Sequence, residues 1–399
     1  MKAARKYVGL LLGALLALLF AASAAAAQEP ADGAEALERL FTEPIQEEWL
    51  APVFLDAITV PELEALVGQV QAQVGQFVAA THVAGTRFDV TFEQALVPTE
   101  LSLDAQGRVQ GLFFQPPEPL PDEAADPLAG FAELPGDVSV LVLEDGEELF
   151  ALDADRPLAV GSAFKLAILT ELQELVASGE AAWDDVLHLE TEWISLPSGI
   201  LQEWPAGTAL TVETLAALMI AMSDNTATDA LLAYTGRENV ESHSPHNRPF
   251  LSTREAFVLK ALPNEELLAS YLEADPAQRR RLLDEEVAGV PLPAVSDLPA
   301  QPRALEVEWY FSASELCSLM AGVEGLELMT INPGPAASSG WERAAFKGGS
   351  EPGVLNLTSW VEADGRELCV TATWNDRAAA LDEARFVGLY SALLRSVRE

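Results

Sequence analysis

Lysine is scarce in this chain. There are five among 399 residues: Lys2, Lys6, Lys165, Lys260 and Lys347. Positive charge of any kind is scarce too, with 23 Lys and Arg against 62 Asp and Glu, a formal net charge of −39. So acidic a chain offers no basic face for phosphate and excludes a nucleic-acid partner. It also disfavours electrostatic docking on anionic membranes. Cysteine is limited to Cys317 and Cys369, enough for one disulfide or for two buried thiols. Cys and His do not cluster at metal-ligand spacing. His243 and His246 share a polar loop and make a weak pair, so neither metal nor cofactor is expected.

Long apolar runs are lacking as well, except for Val8–Phe20, which is short for a membrane span. Lys2, Arg5 and Lys6 precede it and Ala25-Ala26-Ala27 follow it. Residues 1–27 therefore read as a secretory signal, and a secreted or periplasmic product without stable membrane association is expected. What remains is rich in core-forming material, 49% hydrophobic, at a length that suggests two or three domains.

Residues 34–114 change period partway. Leu63, Leu66, Val67 and Val70 form a helical stripe, whereas Phe88, Val90 and Phe92 alternate with polar residues, and Asp104-Ala105-Gln106-Gly107 reads as a hairpin turn. Helices followed by an antiparallel sheet make a small α+β unit. Residues 115–127, Pro-rich and acidic, read as a stiff spacer. From 128 to 399 the order is hairpin (Val138–Leu143, Leu149–Leu152), helices, three strands and a closing helix from Ala378. This predicts one antiparallel sheet carrying an inserted helical lobe.

Within that second region, Ser162 falls at the start of an apolar helix and Lys165 lies one turn on, on the same face. A serine needs a base to become a nucleophile, and a lysine desolvated among Phe164, Leu166 and Leu169 favours its neutral form and serves as one. An N-cap serine followed by a surface lysine is the plain alternative. Ser223-Asp224-Asn225 interrupts two apolar helices, either as a capped turn or as a polar cleft wall. Lys347-Gly348-Gly349-Ser350 lies on a strand whose glycines admit another backbone, or marks a strand edge or bulge.

In this order, Ser162-x-x-Lys165, Ser223-Asp224-Asn225 and Lys347-Gly348-Gly349 resemble the three motifs of the class A β-lactamase and penicillin-binding superfamily, S-x-x-K, S-D-N and K-T-G. The resemblance runs from about Val138 to the C-terminus. It implies that Ser162 is the acylated nucleophile and Lys165 its activating amine. Ser223 would relay a proton to the leaving group, and Lys347 would polarise Ser223 and attract a substrate carboxylate. Asn225, Gly349 and Ser350 would hold the substrate, with the amides of Ser162 and Ser350 as the oxyanion hole. Residues 34–114 resemble, in element order only, the steroid-isomerase-like or nuclear-transport-factor-like cone.

Two departures modify the expectation. Gly348 stands where the family has a hydroxyl residue, which removes a hydrogen bond worth about 1.5–3 kcal/mol unless Ser350 replaces it. No E-x-x-L-N stretch follows Asn225. Glu238, Glu241 and Glu255 are the nearby carboxylates, and Glu255 reads better as the first-turn acid of a helix capped by Ser252 or Thr253. Lys260, on that helix, reads as a surface residue. The expected function is an exported serine hydrolase acting on a small-molecule β-lactam, ester or amide with slow deacylation. A D-Ala-D-Ala-type peptidase and a non-turnover β-lactam-binding sensor are the alternatives.

Overall fold

The structure, a computed structural model, describes residues 30–120, 126–338 and 340–398. The expected signal, 1–27, and residues 121–125 of the expected spacer lie outside them. The chain divides into two compact units at Glu123/Ala124. No helix among the described residues is long and apolar enough to cross a membrane.

In the first unit the helices Pro30–Thr42 and Val60–Val74 accompany a four-stranded antiparallel sheet with strands in sequence order, Phe77–Ala84, Arg87–Phe92, Leu96–Leu103 and Val109–Phe114. The second helix starts where its sequence dictates: Thr59 and Glu62 form a reciprocal capping box, with Pro61 in the first turn. Leu63 and Val67 are buried as the stripe requires, joining Leu37, Phe88 and Val90 in one core. The Asp104 turn closes as read, with Gly107 N–H donating to Asp104 O at 2.9 Å. The first strand has no sequence counterpart above, because register shifts at Phe77/Ala79 and His82/Ala84 break its alternation. The spacer also begins later than expected. Gln115 N–H donates to Pro98 O, and Leu96 and Glu118 exchange two hydrogen bonds, so 115–118 continue the sheet.

In the second unit the hairpin Asp137–Glu144 and Glu147–Leu152 joins the strands Arg343–Glu351, Val354–Ala363 and Arg366–Asn375 in one antiparallel sheet. Asp137–Glu144 pairs with Arg366–Asn375 across more than 200 intervening residues, Leu141 opposite Thr371. Asp145-Gly146 and Asp364-Gly365 turn the hairpins with positive φ at all four residues. Arg343–Glu351, hereafter the edge strand, lies at one edge of this sheet and Glu147–Leu152 at the other. The closing helix, Glu383–Ser396, buries Phe386, Tyr390 and Leu394 against the sheet.

The inserted lobe packs around the helix Lys165–Ser178, together with Val212–Ala221 and Asn225–Thr235. Thr211 caps the second of these, accepting from Thr214 N–H, and Asp224 caps the third, accepting from Ala227 N–H at 2.8 Å. Cys317, on the helix Ala313–Val323, and Cys369, on the strand Arg366–Asn375, form a disulfide with Cα atoms 5.8 Å apart that pins lobe to sheet.

Candidate active site

Ser162 lies in a single 3-10 turn, Gly161–Phe164, that feeds directly into the helix beginning at Lys165. Gly161 has φ +48, and a side chain there would press on the Ser350 amide of the edge strand, 3.0 Å from its Cβ. Gly349, on that strand, has less room still. A methyl group would overlap the Ser162 amide and the Val160 carbonyl. Two glycines thus let the Ser162 turn and the edge strand meet backbone to backbone. The amides of Ser162 and Ser350 stand on the two touching segments.

Ser223 has φ +55, a left-handed conformation that costs a non-glycine residue of order 1–3 kcal/mol. Asp224 behind it stabilises the bend. Fully buried, it accepts from Ile200 N–H at 2.7 Å and Leu201 N–H at 2.9 Å. Gly199 leaves the space for its carboxylate. The bend points Ser223 Oγ at two amines: Lys165 Nζ donates to it at 3.0 Å and Lys347 Nζ at 3.1 Å.

Lys165 is 0% exposed and Lys347 3%. Lys165 Nζ also donates to Ser223 O at 2.6 Å and to Asn225 Oδ1 at 2.7 Å. Burial, and then the like charge of Lys347, hold the Lys165 amine well below the usual lysine range against the opposing pull of Asp229 and Asp224. Burial brings Lys347 down to about 7. Asp229, one turn beyond Asn225, is pushed up to about 7 by burial although Thr253 and Arg254 hydrogen-bond it. Asn225 is anchored through Nδ2–H to Leu196 O at 3.0 Å. The Ser162–Lys165 hydrogen bond that the spacing allows is not made.

Ser162, Ser223, Asn225, Lys347, Gly349 and Ser350 all line one cavity of about 570 Å³. Lys165 closes it from beneath through its bonds to Ser223 and Asn225. Gly348 lines it too, for a local reason: a Cβ there would come within 2.9 Å of the Phe346 ring and 3.1 Å of Asn356 O. The aromatic ring occupies the space a hydroxyl residue needs.

The carboxylates singled out after Asn225 are elsewhere. Glu255 forms a capping box with Ser252 and a two-pronged ion pair with Arg237, at 2.6 and 2.9 Å. Glu241 accepts from Phe250 N–H and Arg280, and Glu238 is exposed. None of the three lines the cavity. His243 pairs with Glu171 at 2.9 Å.

Lys260 overturns its surface reading. It is 5% exposed, lines the cavity, and ion-pairs with Glu308 and with Glu351, the latter at 2.6 Å. Its partners lie 48 and 91 residues away, beyond any local pattern. The scarcity of lysine was the one cue available in the sequence.

No curated protein matches the chain. Solved structures similar to it include a β-lactamase from Sphaerobacter thermophilus DSM 20745, 19% identical over 69% of this chain and 95% of that one, with a TM-score of 0.47. PBP-A is 16% identical over 67% and 90%, at 0.44. A class A β-lactamase from Mycobacterium abscessus is 15% identical over 68% and 96%, at 0.44. Identities and scores this low leave the fold to be argued from the strands themselves. Residues 122–244 match the β-lactamase enzyme family, a span that holds Ser162, Lys165, Ser223 and Asn225 and ends before Lys347.

Proposed function

We propose that the protein is an exported serine hydrolase of the β-lactamase and penicillin-binding kind, forming an acyl-enzyme at Ser162 on a β-lactam or a related ester or amide. One observation carries the reading: Lys165 and Lys347 converge on Ser223 Oγ at the wall of the cavity that holds Ser162. Neutral Lys165, its two remaining N–H groups donating to Ser223 O and Asn225 Oδ1, takes the Ser162 Oγ proton on its lone pair as the oxygen attacks the substrate carbonyl. The amides of Ser162 and Ser350 receive the oxyanion. The proton passes from Lys165 to Ser223 Oγ and on to the leaving group, while Lys347 orients Ser223 and draws in an anionic substrate group. Asn225 and the Gly349 backbone align the acyl chain. Ser350, exposed at the cavity mouth, offers the hydroxyl that Gly348 lacks.

Deacylation is slow in this reading, because none of Glu238, Glu241 and Glu255 lines the cavity. The same observation favours a second reading, a D-Ala-D-Ala-type peptidase or a β-lactam trap whose acyl-enzyme persists. Residues 1–27 serve as the export signal, and the helices and sheet of the first unit correspond to the steroid-isomerase-like cone. Hydrolysis of p-nitrophenyl acetate by the protein and by Ser162→Ala tests the core of the proposal. Activity falls to background in the variant; full retention overturns the assignment.

A further inference from the structure

The acyl-enzyme reading leaves one group unsupplied, a base for the water that frees Ser162. Among the described residues lining the cavity, one alone is a carboxylate, Glu351. It ends the edge strand, and side chains two apart on a strand share a face. Lys347 on that face reaches Ser223, Gly349 abuts the Ser162 amide, and Glu351 follows about 7 Å further along. A glutamate side chain with one bridging water spans such a separation.

Glu351 does not hang free. Lys260 Nζ donates to its Oε2 at 2.6 Å and to Glu308 on the other side. Glu308 is buried, and its Oε2 has no hydrogen-bond partner. Three ionisable groups taken out of water at a cavity wall cost more than apolar residues of similar volume, and such groups gather at functional sites. Burial pushes Glu308 well above the carboxylate range, as does the neighbouring Glu351 charge. Burial acts the same way on Glu351, but the charge of Lys260 and its hydrogen bond outweigh it and hold Glu351 low. The ion pair with Lys260 thus favours the charged form of Glu351, the form able to accept a proton.

We propose that Glu351, positioned by Lys260 and Glu308, is the catalytic base for hydrolysis of the Ser162 acyl-enzyme. The assignment rests on the function proposed above. Glu351 removes one proton from a water, and the water oxygen bonds to the acyl carbon. The tetrahedral centre then collapses, breaking the bond to Ser162 Oγ, which recovers the proton held by Glu351. The product leaves as a carboxylic acid and loses its own proton to solvent. A carboxylate ion-paired with Lys260 is a weak base, which accounts for slow turnover without abolishing it.

The competing account makes the cluster a tie between the helix Thr253–Lys260 and the edge strand. Glu351→Gln separates the two, since glutamine still accepts from Lys260 but cannot take a proton. With p-nitrophenyl acetate, the expected result is an unchanged acylation burst, a steady-state rate lowered roughly 100-fold, and an acetyl adduct on Ser162 that persists by mass spectrometry. If Glu351→Gln does not fold, Glu351→Asp keeps the charge but withdraws it by one methylene, and the burst again stands while release slows. A normal burst with normal release in either variant overturns the assignment alone. Burst and release falling together, with a lower Tm, make the cluster structural and overturn it too. No burst and no adduct in the unaltered protein overturns the acyl-enzyme reading and this assignment with it.

Discussion

Lys165 and Lys347 donate to the same oxygen, Ser223 Oγ, at 3.0 and 3.1 Å. One comes from the helical lobe and the other from the edge of the sheet, so the serine between them reports whether lobe and sheet are correctly closed. Ser223→Ala removes the shared acceptor and, with it, the proposed relay. The acylation rate, followed as the burst with an activated ester, is expected to drop about 100-fold with little change in Tm. A burst as fast as that of the unaltered protein contradicts the relay.

Keeping Lys347 buried is costly, and the cost has a sign. Its pKa in the folded chain, about 7, lies below the ordinary 10.5, so the unfolded chain binds more protons between those values and stability rises with pH across that window. Below pH 7 the whole penalty is present. Lys347→Met therefore raises Tm at pH 6, and its advantage over the native chain shrinks as pH climbs from about 7 to 10, while activity is lost. A gap in Tm that stays constant or widens with pH contradicts the burial argument.

Gly349 is where the Ser162 turn and the edge strand touch. Gly349→Ala places a methyl group against the Ser162 amide and the Val160 carbonyl, so the strand must lift. We expect a stability loss of roughly 1–3 kcal/mol and, from a displacement of the order of 1 Å, about 100-fold lower kcat/KM. Gly325→Ala, with open space around it and no positive φ, makes the comparison. Denaturant melts and ester kinetics on both variants decide the point; equal activity in the two contradicts it.

The Phe346 ring is the nearer of the two groups, with Asn356 O, that crowd a side chain at position 348. Gly348→Ser alone crowds the ring and lowers Tm, whereas Gly348→Ser with Phe346→Leu opens the space and tightens binding of carboxylate-bearing substrates about ten-fold. KM measured for a carboxylate substrate and a neutral analogue separates this from a general effect. Unchanged KM for both in the double variant contradicts it.

Glu255 is expected to matter for folding only. Glu255→Ala removes one arm of a capping box and the partner of a half-buried Arg237, a cost of roughly 2 kcal/mol. Release of the acyl group, followed after the burst, is expected at the native rate. A slowed release contradicts the structural role given to it here.

Much of this was legible in the residues because it is local. Asp224 makes the Ser223-Asp224-Asn225 turn a capped one, Ser252 caps the helix expected to start from Ser252 or Thr253, and Asp145-Gly146 turns the expected hairpin, since each of these is decided within about four residues. The three motifs carried the site because their order and residue types are themselves the pattern. What escaped depends on distant partners or broken periods. The Phe77–Ala84 strand is bulged, Gln115–Glu118 gain strand character from Leu96 and Pro98, and Lys260 is buried by Glu308 and Glu351. Glu351 went unnoticed for the same reason: a carboxylate after Ser350 means nothing until the strand face it shares with Lys347 is known.

The most direct test of the central claim is mass spectrometry of the intact protein, sampled from milliseconds to hours after mixing with penicillin G, followed by peptide mapping. A mass increase equal to one penicillin, mapped to Ser162 and absent from Ser162→Ala, is the predicted result. No adduct at any time, or one that maps elsewhere and survives in Ser162→Ala, contradicts the account.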